Sequence, residues 1–65
     1  MDNRVRGFRE KMDLTQEELA EKVKVTRQTI ISIEQSRYDP SLPLAFKLSK
    51  VLKKKIDELF KFKEE

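Results

Sequence analysis

Two threonines eleven residues apart decide most of what this chain can become. Residues 14–30 read LTQEELAEKVKVTRQTI. Thr15 is followed three positions later by Glu18, the capping-box pattern, in which the threonine hydroxyl accepts the Glu18 N–H and the Glu18 carboxylate accepts the Thr15 N–H. Thr26 opens TRQTIISIE and can cap a second helix through its own hydroxyl. The helix begun at Thr15 must therefore end at LAEKV, and the chain must turn within about three residues. Two short helices are forced to cross closely. Ala20, small and on the same face as Leu19 and Val23, lets another helix axis approach there.

One glycine and two prolines in 65 residues leave little material for hairpins, and the apolar residues recur at three- and four-residue steps rather than alternating. The chain reads as all-α, with five helices. Val5, Phe8 and Met12 predict a first helix from about Asp2 to Met12, with Gly7 a modest weakness inside it. The second helix carries Glu17, Glu18 and Glu21 near its N-terminus, where the helix dipole favours negative charge. In the third, Ile30 and Ile33 line one side. Pro40 disfavours a helical Asp39, and Ser41 can cap a fourth helix that tolerates Pro43 in its first turn. Leu42, Ala45, Leu48, Ser49 and Leu52 form that helix's expected stripe. KKKIDELF predicts a short fifth helix with Ile56, Leu59 and Phe60 turned inward. Residues 1–65 are expected to form one domain, with a helix-turn-helix over about 15–35 and a charged tail at 61–65.

What is missing closes off several functions. The chain has no cysteine and no histidine, so disulfides, thiolate chemistry, the usual zinc sites and histidine acid–base catalysis are absent. A chain this short hardly encloses a substrate pocket of typical size, and an enzyme is not expected. Nor is a cofactor, a metal or a small-molecule ligand. With no signal peptide and no long apolar run, the expectation is a cytoplasmic protein without a membrane partner. A net charge of +3, with 42% of residues charged, suits solubility and weakly suits a polyanionic partner.

The outer face of the third helix carries the chemistry. If Ile30 and Ile33 face inward, the opposite arc presents Arg27, Gln28, Ile31 and Ser32, with Thr26 and Thr29 beside it. A merely solvated helix more often shows Glu and Lys. Arginine can bond guanine O6 and N7 in bidentate fashion, glutamine can do the same for adenine N6 and N7, and serine serves either. Nothing acidic interrupts that arc before Glu34. The competing reading is that these residues only pack and solvate a small helical bundle.

TQEELAEKVKVTRQTIISIEQSRYDPSL resembles the helix-turn-helix of the Xre family, which includes the phage repressor and Cro proteins, and the likeness runs on through DELF over nearly the whole chain. The resemblance implies a lambda-repressor-like five-helix domain, sequence-specific binding of double-stranded DNA, and a homodimer on a pseudo-palindromic operator. By position it implies base reading by Arg27, Gln28 and Ser32, a phosphate contact by Gln16, a backbone contact by Arg37, and an ion pair between Arg9 and Glu34. Lys24 and Ser36 stand where the family usually has glycine. A left-handed Lys24 costs about 1 kcal/mol.

The remaining residues carry two readings each. Ile31 either touches a thymine methyl or is an incompletely buried side chain. Lys47, Lys50, Lys53, Lys54 and Lys55 track phosphates or, in the preferred reading, are simply solvated. Tyr38 meets a phosphate or, preferably, covers its loop. Leu59, Phe60 and Phe62 exceed what so small a core needs and are candidates for a two-fold contact, with packing onto the first helix as the alternative. In the leading mechanism the helix starts at Thr15 and Thr26, with Thr29, Gln16 and Arg37, hold phosphates while the third helix reads bases and blocks transcription as a dimer. An antitoxin gripping a toxin partner, or a protein-binding transcription adaptor, are the alternatives on the same fold.

Overall fold

The computed structural model describes residues 2–61. Five helices follow in order: α1 (Val5–Lys11), α2 (Gln16–Val23), α3 (Arg27–Glu34), α4 (Leu42–Leu52) and α5 (Ile56–Leu59). Three of them start where a hydroxyl can accept the backbone N–H three residues on: Thr15 from Glu18, Thr26 from Thr29 and Ser41 from Leu44. The capping box at α2 is complete, with Thr15 N–H donating to Glu18 Oε1 at 2.8 Å and Glu18 N–H donating to Thr15 Oγ1 at 3.0 Å. Pro43 sits in the first turn of α4, where its missing N–H removes no helical hydrogen bond.

The first four helices all leave through a left-handed residue, and none of these is glycine: Asp13, Lys24, Ser36 and Lys53 have φ between 56° and 60°. The first three exits share one pair of hydrogen bonds. Asp13 N–H reaches Glu10 O and Leu14 N–H reaches Arg9 O; Lys24 reaches Glu21 and Val25 reaches Ala20; Ser36 reaches Ile33 and Arg37 reaches Ser32. Lys53 and Lys54 both reach Ser49 O, whose Oγ in turn donates to Lys54 O. At α1 and α2 the residue after the left-handed one, Leu14 or Val25, packs against the core. That burial holds a conformation which strains each side chain by about 1 kcal/mol.

The core is Val5, Leu19, Ala20, Val23, Ile30, Ile33, Leu44, Ala45, Leu48, Leu52, Leu59 and Phe60, and every helix contributes to it. Beneath α3 lies an ion pair. Arg9 of α1 donates from Nε to Glu34 Oε2 at 2.7 Å and from Nη2 to Glu34 Oε1 at 3.3 Å, and from Nη1 to Leu14 O at 2.7 Å. Gln16 of α2 donates Nε2 to Glu34 Oε1 at 3.1 Å. The two charged side chains are only 10% and 4% exposed. The hydrogen bond to Glu34 raises the Arg9 pKa above the usual guanidinium value, so Arg9 stays charged.

Five expectations need correction. α1 begins at Val5 rather than Asp2, because residues 2–4 are drawn into pairing with the other end of the chain. Arg4 N–H donates to Leu59 O at 2.8 Å, Lys61 N–H donates to Asp2 O at 2.9 Å, and Asn3 forms an antiparallel bridge with Phe60. Lys61 thus belongs to this closure rather than to a tail. Leu59 and Phe60 are 0% and 3% exposed, consumed by the core, and have no area to give to a two-fold contact; Phe62 lies outside the described residues. Leu42, expected in the inner stripe of α4, is 64% exposed, and Leu44 takes the buried place instead. Met12 likewise ends outside the core.

Three outcomes are expected. Glu34→Ala strands the buried Arg9 guanidinium and should cost about 3–5 kcal/mol in urea unfolding, most of the stability of a domain this size. A β-carbon on Gly7 would meet nothing within 4 Å and its φ is not positive, so Gly7→Ala should stabilise by about 1 kcal/mol, raising Tm by roughly 4–8 °C in a calorimetric scan. The Thr15 N–H and hydroxyl hold the Glu18 carboxyl below its ordinary pKa. A depressed folded-state value means stabilisation that is present above the unfolded value of about 4.3 and lost as pH falls through the folded one. The gap in urea midpoint between the native chain and Glu18→Ala should therefore narrow on acidification through that range.

Candidate nucleic-acid interface

The outward side of α3 is set by what its inward side must bury. Ile30 and Ile33 are fully enclosed, and Glu34, the only acidic residue of the helix, is turned under toward Arg9 and Gln16. Asn3 fixes the same end from another direction, its Nδ2 donating to Ile33 O at 2.8 Å while its Oδ1 accepts Val5 N–H. With that rotation settled, Thr26, Arg27 and Gln28 are exposed and Thr29, Ile31 and Ser32 half-buried. No carboxylate of α3 faces outward.

The exposed side chains divide between two depressions. Arg27 joins Arg6, Arg9, Thr15, Gln16 and Glu17 around an open cleft of about 600 Å³, where the N-termini of α2 and α3 meet the flank of α1. Three guanidinium groups border it. Arg6 is loosely engaged there, its Nε 3.6 Å from Glu10 in an exposed pair that holds little energy. Gln16, half-buried, is committed through Nε2 to Glu34, so its carboxamide orientation is set by the ion pair below it. The cleft thus offers an anion two guanidinium forks and a helix N-terminus, with Glu17 as the one opposing charge.

Gln28, Thr29 and Ser32 line the second depression, of about 260 Å³, together with Thr26 and Tyr38. Here the hydroxyls of Thr26 and Thr29 are 3.0 Å apart, and Thr29 N–H donates to Thr26 Oγ1 at 3.3 Å. The two threonines are therefore partly spent on each other. Arg37 is exposed, with its N–H bonded to Ser32 O at 2.9 Å, which pins the start of the loop after α3 to the helix. Ile31 lines neither depression.

Two contributors were missed on sequence. Arg6 lines the cleft with Arg27 from a different helix; its position three residues before Arg9 marked it as basic, but only the tertiary structure brings that flank of α1 beside the start of α3. Tyr38, assigned to loop cover, borders the depression that holds Gln28 and Ser32.

The family model described as "Helix-turn-helix" matches residues 5–59. The chain is 48% identical over 65 residues to an uncharacterized HTH-type transcriptional regulator of Archaeoglobus fulgidus, covering all of this chain and 92% of that one. It is also 48% identical over 65 residues to the uncharacterized HTH-type transcriptional regulator MJ0272 of Methanocaldococcus jannaschii, covering all of this chain and 98% of its relative. Among solved structures it resembles the P22 c2 repressor protein in complex with synthetic operator 9T, with a TM-score of 0.86, 33% identity and coverage of 89% of this chain and 88% of that one. With the matched span running from the first residue of α1 to the last of α5, the chain belongs to the helix-turn-helix family of transcriptional regulators, of the Xre, phage-repressor-like type.

Proposed function

We propose that the protein binds a specific double-stranded DNA sequence with α3 in the major groove and acts as a repressor in the form of a homodimer. The observation that carries this reading is the outward face of α3: Arg27 and Gln28 are exposed, Ser32 is half-buried beside them, and the helix's one carboxylate is folded beneath. A helix of about 10–12 Å diameter fits the major groove. Arg27 then meets guanine, Gln28 meets adenine, and Ser32 meets either, while the side chain of Ile31 is available to a thymine methyl. Gln16, Arg6 and Arg37 hold phosphates on either side of α3, aided by the helix starts at Thr15 and Thr26. Thr29 backs the Thr26 cap at that end.

The phosphate contacts give affinity without sequence preference and make it fall with salt. One short helix reads only a few base pairs, so two copies on half-sites about one DNA turn apart form the working unit. The structural likeness to the P22 c2 repressor, a protein solved in complex with a synthetic operator, supports the DNA partner and the repressor role. Occupying an operator that overlaps a promoter then excludes polymerase without any catalytic step.

Selection from random duplexes with the purified protein should enrich a short inverted motif. Enrichment of none would overturn the reading in favour of an adaptor that contacts protein. On the selected site, Arg27→Ala or Gln28→Ala should lose about 1–3 kcal/mol and relax the preference at one position. Arg37→Ala should instead weaken all sequences alike and lower the salt slope by about one in titrations across ionic strength.

A further inference from the structure

Lys11 and Lys54 belong to different parts of the chain and converge on one aromatic ring, their Nζ atoms standing over Phe8 at 5.5 Å and 5.0 Å from its centroid. Phe8 is half-buried against the core. Beside it runs an open groove of about 340 Å³ lined by Asn3, Arg4, Gly7, Phe8 and Lys11. Neither the core nor the α3 face accounts for this arrangement. We infer that the groove docks an acidic protein segment, with carboxylates against Arg4 and Lys11, an apolar side chain against Phe8 and Gly7, and Lys54 adding positive charge at the ring.

The chain builds this site from several elements. Arg4, Gly7 and Lys11 follow at steps of three and four, the spacing that brings side chains onto one helical face. Gly7 keeps the space between the two cations open, since even a β-carbon there would meet nothing within 4 Å. Lys54 is held where α4 ends, its N–H donating to Ser49 O at 3.1 Å and its carbonyl accepting from Ser49 Oγ. The electron-rich ring face attracts both ammonium groups and so keeps two like charges close together. Among the described residues no carboxylate lines the groove to offset them. Positive potential gathered over an apolar wall is complementary to a carboxylate with an apolar neighbour.

Position and shape select the occupant. At about 100° per residue, Gly7 and Lys11 fall on the flank of α1 away from Arg6, which borders the cleft beside α3. The groove is therefore accessible whether or not α3 is occupied, and the inference goes beyond the DNA-binding reading without resting on it. A duplex presents its phosphates on a convex surface, where exposed cations meet them without any depression. A concave site with an aromatic wall is filled instead by side chains, and aromatic and arginine residues are the ones enriched where proteins meet.

The test uses the full chain, without DNA, and two short fluorescent peptides, one repeating glutamate, leucine and serine and the other carrying lysine in place of glutamate. Anisotropy should show binding of the acidic peptide and none of the basic one. Gly7 is the chain's single glycine, so its amide NMR signal is readily identified and should shift as the acidic peptide is added. Arg4→Gln combined with Lys11→Gln should weaken binding about tenfold. Lys47→Gln with Lys50→Gln, the same loss of charge on exposed positions of α4, should leave it unchanged. Gly7→Glu sets a carboxylate of the chain's own between Arg4 and Lys11 and should also weaken the peptide about tenfold, whereas Gly7→Ala should not; both replace glycine with a better helix former and keep the fold. Absence of binding, equal loss in the Lys47 and Lys50 variant, or loss on Arg27→Gln instead overturns the groove as the docking site. A duplex of arbitrary sequence that shifts the Gly7 signal in place of the peptide assigns the groove to phosphates and overturns it too. Each of these outcomes leaves the DNA-binding reading of α3 standing, because that reading is tested by selection from random duplexes.

Discussion

Glu34 accepts hydrogen bonds from two other helices, Arg9 Nε and Nη2 of α1 and Gln16 Nε2 of α2, and it does so from the last turn of α3. The pair is buried, and a buried ion pair repays its desolvation poorly compared with apolar packing. What it supplies is direction. A guanidinium presents its donors in a rigid planar fork, so it accepts the Glu34 carboxylate from one side only and fixes the rotation of α3 about its own axis. Turning α3 by a single residue, about 100°, would lift Glu34 out of this network and drag Gln28 toward the interior. The exposure of Arg27 and Gln28 therefore depends on a carboxylate that itself never faces outward.

The same network ties the cleft between α1, α2 and α3 to the outward face of α3. Gln16 stands at the cleft and bonds to Glu34, and Arg9 lines that cleft while also holding Leu14 O in the turn after α1. Asn3 adds a bond to Ile33 O from the segment that pairs with residues 59–61. Residues 2–4 and 59–61 therefore bear together on α3. The short bridge between Asn3 and Phe60 has little energy of its own, yet it seats the residue that steadies α3.

The helix exits show how a chain with a single glycine makes tight turns. Glycine normally occupies the left-handed position because it has no β-carbon to collide with the following carbonyl. Here Asp13, Lys24, Ser36 and Lys53 occupy it, while Gly7 lies inside a helix where no close approach requires it. Burial of Leu14 and Val25 immediately after two of these turns outweighs the strain, so the turn geometry is enforced by the core rather than by local propensity. Lys24 consequently holds the left-handed turn between α2 and α3 without a glycine.

Helix starts at Thr15, Thr26 and Ser41 were legible in the sequence because a cap is a local contest between one hydroxyl and one N–H three residues away. The inward positions of Leu19, Val23, Ile30 and Ile33 were legible because they repeat at helical spacing. The composition of the α3 face followed from the same short-range patterns, and the family from the resemblance of residues 15–42 to the Xre helix-turn-helix. Tertiary structure alone decided which apolar residues remain exposed. Leu42 and Leu44 are equally apolar and two positions apart, and the chain has no local rule that says which of them α4 turns inward; that depends on where α1, α2 and α5 press against it. Likewise Leu59 and Phe60 become core, and residues 2–4 leave the helix, only because the two ends of the chain meet. Periodicity fixes a face relative to its own helix, whereas burial is a property of neighbours that the helix does not contain.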